Sequence, residues 1–280
     1  MDKAIIFGAG GTGQRVYGLI KNQYEVVGFA DNGSDRWGEK LFGVPIFNPE
    51  NIVGGGIKYD FIVLGTLMGY QELQEQLEKL GVPSFKIVKG YVEQSVLSRI
   101  YFLKRYAEEV YRLGIDGSVG EAGVFRGEFA KEINGYFPDR KCYLFDTFEG
   151  FAEEDIKMEK KESLTNARYM KGLSDKLVYE KMPNKNMVKI FKGYFPETAE
   201  GITDSFCFVN LDMDLYNPTL GGLRFFYPKL SGGGIILIHD YFSDAYPNLR
   251  QAVEDYETEI GKKLPKMPIG DDISIAITKP

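Results

Sequence analysis

Cysteine is nearly absent, with only Cys142 and Cys207 in a chain of 280 residues. A disulfide framework needs more, and both stand inside apolar strand-like segments where buried, reduced thiols are expected. Long apolar runs are missing as well. Stretches such as Ile235 to Ile238 fall far short of the roughly 20 residues that a membrane-spanning helix requires. The start, Met1-Asp2-Lys3, passes straight into a strand-like run with no secretion signal. A cytoplasmic protein without a membrane span is therefore expected. Positive charge is not in excess either: 34 Lys and Arg against 40 Asp and Glu leave a net charge of -6. That balance disfavours phosphate backbones, so nucleic acid is not expected as a partner. What is present, 44% hydrophobic and 26% charged residues, excludes disorder and collagen-like repetition and suffices for one large core or two ordinary ones.

Strand-like and helix-like segments alternate through the first ninety residues. Ala4 to Phe7 is followed by a helix from about Thr12, then by Tyr24 to Asp31, Phe61 to Gly65, Tyr70 to Leu80 and Phe85 to Val88. This order predicts a parallel α/β sheet. Between Val92 and Leu113 the spacing becomes helical, with Val96, Ile100, Leu103, Ala107 and Val110 recurring at three and four residues. A second alternation then runs through Ser118 to Val124, a helix from Arg126, Lys141 to Thr147, Met187 to Phe191, Ser205 to Leu211, a helix from Thr219, Gly234 to His239, a helix from Asn248, and Asp272 to Thr278. The expected fold is α/β with two tandem Rossmann-like doubly wound domains. The divisions are 1–90, a connecting helix at 91–115, and 116–280. The charged, non-periodic stretch from Gly150 to Asn186 reads as a mobile cover over a site or as a solvated insertion.

Two glycine-rich turns each follow a strand and open a helix. In the first, Gly8-Ala9-Gly10-Gly11-Thr12-Gly13, Gly8, Gly10, Gly11 and Gly13 would let the backbone approach a pyrophosphate at the helix N-terminus. Asp31, ending the second strand, is placed to hold ribose hydroxyls. Tight packing in a domain that binds nothing is also compatible with these glycines. The segment from about residue 3 to 90 resembles the small nucleotide-binding domains that open many bacterial polysaccharide-biosynthesis proteins. The match rests on Phe7-Gly8-Ala9-Gly10, Tyr24 to Asn32 and Gly43-Val44-Pro45-Ile46. The resemblance implies NAD or a nucleotide-sugar as ligand. An oxidoreductase is a poor fit, because a Tyr-x-x-x-Lys pair occurs only as Tyr17 and Lys21, on the helix behind the glycine loop.

The second turn is Glu121-Ala122-Gly123-Val124-Phe125-Arg126-Gly127. An acid followed by these glycines suits a ligand with an amino-acid moiety and an adenosine but no pyrophosphate. Asp146 ends the next strand, where a doubly wound sheet would place a ribose diol, and Phe148 is a candidate stacking partner for adenine; alternatively Asp146 caps a loop. This half, from about Ile115 to Lys279, resembles the macrocin O-methyltransferase family. The match rests on Gly120 to Gly127, Leu144 to Phe151, Lys192 to Thr198, Asp212 to Tyr216, Tyr227 to Leu230 and His239-Asp240-Tyr241. The resemblance implies a class I methyltransferase fold, S-adenosylmethionine as cofactor and a sugar or glycoside as small-molecule substrate. By it, Glu121, Gly123, Gly127 and Asp146 contact the cofactor, with Gly193 and Tyr194 on its adenine side.

Methyl transfer to a neutral sugar hydroxyl needs help in deprotonating the nucleophile, and a divalent metal, magnesium or manganese, would supply it. Asp212, Asp214 and Asp240 are the candidate metal ligands, with His239 and Asp240 as candidate catalytic residues. Asp212 and Asp214 end one strand and His239-Asp240 the next, so like charges gather where a cation would compensate them. Alternation along a strand prevents Asp212 and Asp214 from pointing the same way unless the strand has already ended. Where the resembled family has an Asp-Asp pair, this chain has His239-Asp240, and His239 is its one histidine. It is a candidate ligand, which would favour manganese, iron or zinc, a general base, or a structural residue bonded to a carboxylate. Two other functions fit parts of the pattern: metal-dependent glycosyl transfer through Asp212-Met213-Asp214, and a binding module without turnover. A homo-oligomer is compatible with the sequence.

Overall fold

The apolar runs near the N-terminus become one sheet in the computed structural model, which describes residues 1–54, 56–67, 69–157, 159 and 173–280. Its elements are β1 (Lys3–Phe7), α1 (Gly11–Ile20), β2 (Glu25–Ala30), β3 (Lys40–Leu41), β4 (Val44–Phe47), β5 (Phe61–Leu64), α2 (Tyr70–Lys79) and β6 (Ile87–Val88). The strand order is β3-β4-β2-β1-β5-β6. Every pairing is parallel except that of β3 with β4. Both β3 and β4 lie where the sequence pattern had not indicated strands.

The long helix α3 (Gly90–Leu113) leads to β7 (Ser118–Ala122), α4 (Glu128–Tyr136), β8 (Cys142–Asp146), α5 (Glu153–Ile156), α6 (Asp175–Lys181) and β9 (Val188–Lys192). Then come β10 (Phe206–Leu211), α7 (Tyr216–Lys229), β11 (Leu230–Ile238), α8 (Asn248–Glu259), β12 (Lys266–Pro268) and β13 (Ile275–Thr278). The order is β12-β13-β11-β10-β7-β8-β9. Strands β11 to β9 are parallel, and β13 and β12 are added antiparallel at one edge. The chain is thus mixed α/β with two sheets, in two compact units, Met1–Leu97 and Ser98–Pro280. Two helix starts differ from the sequence reading. α4 begins at Glu128 and not Arg126, because Gly127 takes a left-handed conformation at its N-terminus. α7 begins at Tyr216, ahead of Pro218, which a first helical turn tolerates because the missing N–H there would have no partner anyway.

Both sheets are covered on two faces, which the strand alternation explains. In the second unit Tyr143, Phe145, Ile236 and Ile238 pack with Leu223, Phe226, Val253 and Tyr256 of α7 and α8. Their neighbours Cys142, Leu144, Ile235 and Leu237 pack with Leu103, Ala107, Ala130 and Ile133 of α3 and α4. In the first unit Ile5, Phe7, Ile62 and Leu64 face Leu77 of α2, and Ala4, Ile6 and Val63 face Val16 and Ile20 of α1. Cys142 and Cys207 are free and buried, and burial raises both thiols above their ordinary pKa. Among the described residues no helix is long and apolar enough to cross a membrane. Of the charged stretch expected as a cover, residues 158 and 160–172 lie outside the described residues.

Candidate active site

Strand register builds the site. Leu211 pairs with both Ala122 and Ile238, so the residues that leave β7, β10 and β11 emerge side by side. Asp212 donates its N–H to Ala122 O at 2.8 Å, and His239 donates its N–H to Leu211 O at 2.9 Å. Because β10 ends at Leu211, Asp212 already stands beyond the strand.

The side chains converge there. His239 Nδ1 lies 3.0 Å from Asp212 Oδ1 and 2.9 Å from Asp240 Oδ2. One donor atom from each of Asp212, His239 and Asp240 falls within 4.8 Å of the others. Burial and Arg99 both lower the affinity of His239 for its proton, yet Asp212 and Asp240 outweigh them and push its pKa up to about 10. Burial would raise Asp212, but His239 and Arg99 hold its carboxyl well below the usual range. Asp214, also expected as a metal ligand, is not one of the three residues whose donor atoms meet there. Burial, then Asp240 and Asp212, raise its pKa well above that of an ordinary carboxyl.

Among the described residues six non-glycine residues have positive φ, and Phe125, Phe148, Asp214 and Asp240 are four of them. All four sit in loops leaving the carboxyl ends of β7, β8, β10 and β11. Such conformations cost of order 1–3 kcal/mol and gather where the surrounding structure imposes a geometry.

The glycine turn and the end of β8 are joined by one carboxylate. Asp146 Oδ2 accepts the N–H groups of Val124 and Phe125 at 2.7 and 2.8 Å, and Oδ1 accepts that of Phe148 at 2.7 Å. The loop-capping alternative for Asp146 is therefore present, although a carboxylate with about four acceptor positions keeps one for a hydroxyl. Phe148 is 5% exposed and belongs to the core, so it presents no ring face of the kind an adenine stack would need. Gly123, at φ +83, passes so close to the next strand end that a Cβ would stand 2.0 Å from Asp212 O. At Gly127 a Cβ would meet Val178, and at Gly193 the side chain of Thr198. Glu121 is 2% exposed. Its Oε1 accepts Asn210 Nδ2 at 2.7 Å, while Oε2 is buried without a hydrogen-bond partner. Burial, only partly offset by Arg99, pushes its pKa up to about 8. Between the loops that leave β8 and β9 a cavity of about 600 Å³ is lined by Thr147, Gly150, Phe151, Ala152, Lys192, Gly193 and Tyr194, among others, within the size range of small-ligand sites.

In the first unit Gly8 carries φ +113, and a Cβ on it would stand 2.6 Å from Gly65 O; one on Gly13 would stand 1.8 Å from Gly8 O. Close packing of the loop, α1 and the end of β5 thus accounts for these two glycines. Gly10 stands just before α1 and Gly11 opens it. Asp31 is 5% exposed and accepts the N–H of Ala9 at 2.8 Å and of Gly33 at 2.7 Å.

Sequence reasoning missed Arg99 and Asn210. Arg99 donates from Nη2 to Asn210 Oδ1 at 2.9 Å and Asp212 Oδ2 at 3.0 Å. Its signal was available: position 99 is three after Val96 and four before Leu103, on the apolar face of its helix. Asn210 was a single amide inside the apolar run Phe206–Leu211. Asp155, also missed, is buried and accepts Tyr194 Oη and Asn217 Nδ2, each at 3.1 Å.

Residues 95–272 match the macrocin-O-methyltransferase family, and residues 1–88 match a family described as C2185-like, N-terminal. Demethyldecarbamoylnovobiocin O-methyltransferase of Streptomyces niveus is 25% identical, over 58% of this chain and 66% of that protein. Mycinamicin III 3''-O-methyltransferase of Micromonospora griseorubida is 28% identical, over 59% and 70%. The chain therefore spans about two thirds of the length of these curated relatives. Among solved structures, the O-methyltransferase NovP aligns with a TM-score of 0.56 at 22% identity, covering 65% of this chain and 79% of that one. The calicheamicin methyltransferase CalS11 aligns at 0.53 and 18%, covering 75% and 93%. At these identities the likeness is one of fold.

Proposed function

Because the chain belongs to the macrocin O-methyltransferase family, we propose that it moves a methyl group from S-adenosylmethionine to a hydroxyl on the sugar of a glycoside. The observation that carries this reading is the convergence of Asp212, His239 and Asp240 beside a strand end whose Glu121 keeps a buried oxygen without a partner. Family membership leaves the glycosyl-transfer reading of Asp212-Met213-Asp214 without support, and Asp214 stands outside the convergence.

S-adenosylmethionine, when bound, supplies an electrophilic methyl on sulfur. Glu121 Oε2 fits its ammonium, since an orphaned buried acceptor is costly until a donor reaches it. Asp146 retains acceptor capacity for a ribose hydroxyl, and the walls at Gly193 and Tyr194 suit the adenine side. Two carboxylates and an imidazole fit a divalent cation, and the nitrogen donor suits manganese, iron or zinc better than magnesium. Such a cation, when bound, favours the deprotonated form of the acceptor hydroxyl. Asp212, Asp240 and His239 would hold it. While the imidazole keeps its proton, up to about pH 10, it can act neither as base nor as ligand, so a cation held there would have to displace that proton. A relative from Streptomyces olivaceus, 29% identical and named as the 4'-O-methyltransferase of a rhamnosyl-tetracenomycin, points to the sugar of a glycoside as acceptor.

The first unit we read as a small Rossmann-like domain for NAD or a nucleotide-sugar, on the strength of the glycine turn between β1 and α1. The test is calorimetry with S-adenosylhomocysteine, joined to methyl-transfer assays on a glycoside panel. Micromolar binding with turnover supports the reading, and turnover absent across rhamnosides and other deoxysugar glycosides would sink it.

A further inference from the structure

Arg99 lies on α3, far in sequence from the strands it touches. Its side chain is only 12% exposed, and its guanidinium carbon stands 4.0 Å from the Phe129 ring centroid. A single nitrogen, Nη2, reaches Asn210 Oδ1 at 2.9 Å and Asp212 Oδ2 at 3.0 Å, while Nε is buried without a partner. Burying a guanidinium with an unmade bond is costly, so the position asks for a reason beyond packing.

Arginine has donors only. Asn210 must therefore turn its oxygen towards Arg99, which points its amide nitrogen at Glu121 Oε1, 2.7 Å away. Glu121 is thereby gripped on one oxygen and left with Oε2 free. Asp212 is treated alike. Arg99 holds Oδ2, so Oδ1 is the oxygen that faces His239 Nδ1 at 3.0 Å. One guanidinium thus decides which oxygen each of two carboxylates presents, one on β7 and one just beyond β10.

We propose that Arg99 is a positioning residue that sets Asp212 for the acceptor side and, through Asn210, sets Glu121 for the cofactor side. This rests on the methyl-transfer reading for the meaning of the two sides, but the linkage itself is a property of the chain. Lysine would keep the charge and lose the planar guanidinium that stands over Phe129 while its Nη2 bridges two acceptors.

The experiment compares Arg99→Gln, Arg99→Lys and Asp212→Asn, singly and with Arg99→Gln and Asp212→Asn combined, on tag-free protein. Because His239 is the one histidine, its imidazole nitrogens give a single signal set in a ¹H–¹⁵N spectrum, readable without cofactor or acceptor. Arg99→Gln should displace that set in the direction that Asp212→Asn does, with the remaining amide spectrum folded and largely unmoved. It should also weaken S-adenosylhomocysteine and lower kcat, each by roughly tenfold or more, a step worth about 1.4 kcal/mol. In the Asp212→Asn background the further loss in kcat should be under about threefold, since coupled neighbours are not additive. Arg99→Lys should keep the thermal midpoint near wild type while showing the same signal displacement. An unmoved imidazole signal in both arginine variants, or full additivity of the kcat losses, would overturn the proposal. Wild-type binding and turnover, read on their own, judge the methyl-transfer reading; variant-to-wild-type ratios and the imidazole signal judge Arg99.

Discussion

Asp146 Oδ2 accepts the N–H of Val124 at 2.7 Å, across 22 positions of sequence. Asp31 does the same in the first unit, accepting the N–H of Ala9 at 2.8 Å across the same 22 positions. In both sheets the acid that ends the second strand, or follows it by one residue, closes the glycine turn after the first. The residue that a sequence reader assigns to a ribose is first of all a buried anchor for the loop.

Asp146→Ala should therefore lower stability as well as cofactor affinity. It strands the N–H groups of Val124, Phe125 and Phe148, and losing a charged hydrogen-bond partner costs about 1.5–3 kcal/mol. A fall in the thermal midpoint of roughly 3–12 °C follows for a unit of this size. S-adenosylhomocysteine should weaken by roughly 10- to 150-fold. Asp31→Ala should destabilise to a similar extent yet leave that affinity unchanged, because the second unit holds the expected cofactor residues. Differential scanning calorimetry and titration calorimetry on both variants check this. Equal affinity losses in the two would show that the loops act through general stability alone.

Much of this arrangement was legible because it depends on neighbours in sequence. Strand runs such as Phe206–Leu211 and Ile235–Ile238, and the glycine turns that follow or precede helices, follow from period and turn chemistry. The acids at the ends of β8 and β10 could be read the same way. What could not be read were consequences of register and of long-range contact. Lys40–Leu41 and Lys266–Pro268 are strands of two and three residues, too short to carry a period. Asp214 looked equivalent to Asp212 in sequence, and nothing in the pattern separated the acid whose oxygen meets His239 from the one that stands two residues on. Arg99 meets its partners 111 and 113 positions away, and only its place on an apolar helical face hinted at burial.

The titration of His239 fixes a second expectation. In the metal-free chain burial and Arg99 lower its pKa, but Asp212 and Asp240 prevail and raise it to about 10, against about 6.5 in an unfolded chain. A group whose folded pKa is the higher one binds more protons when folded. Its stabilising contribution is complete below about pH 6.5 and is lost as pH climbs through about 10. The unfolding free energy of the metal-free protein should thus fall across that window, and His239→Gln should flatten the fall. An NMR titration of the lone imidazole gives the pKa directly. A midpoint near 6.5 would mean that the two carboxylates do not hold the ring as described.

The metal expectation can be separated from a merely acidic cluster by treating Asp240 and Asp214 differently. Asp240 Oδ2 belongs to the converging group, and Asp240→Asn keeps the volume while removing one charge from it. Turnover should collapse far more than S-adenosylhomocysteine affinity, because the lost interaction belongs to activation of the acceptor and not to cofactor binding. Asp214 is the control. Burial, Asp240 and Asp212 already hold it towards its neutral form, so Asp214→Asn resembles the protonated acid and should leave manganese affinity within a few-fold of wild type. Its raised folded pKa gives a pH dependence of the same sign as that of His239: the fold weakens as pH rises above the unfolded value near 3.9, so removing the carboxyl should leave the protein unchanged or more stable at pH 7. Chelation should reproduce the Asp240→Asn defect in the unaltered protein, and manganese should reverse it. Because an imidazolium must release its proton to become a ligand, manganese binding should also liberate protons, measurable as a buffer-dependent enthalpy in calorimetry. Methyl transfer that continues undiminished in EDTA, with no metal by elemental analysis, would return the chemistry to the side chains alone and make Asp212 and Asp240 partners that orient His239.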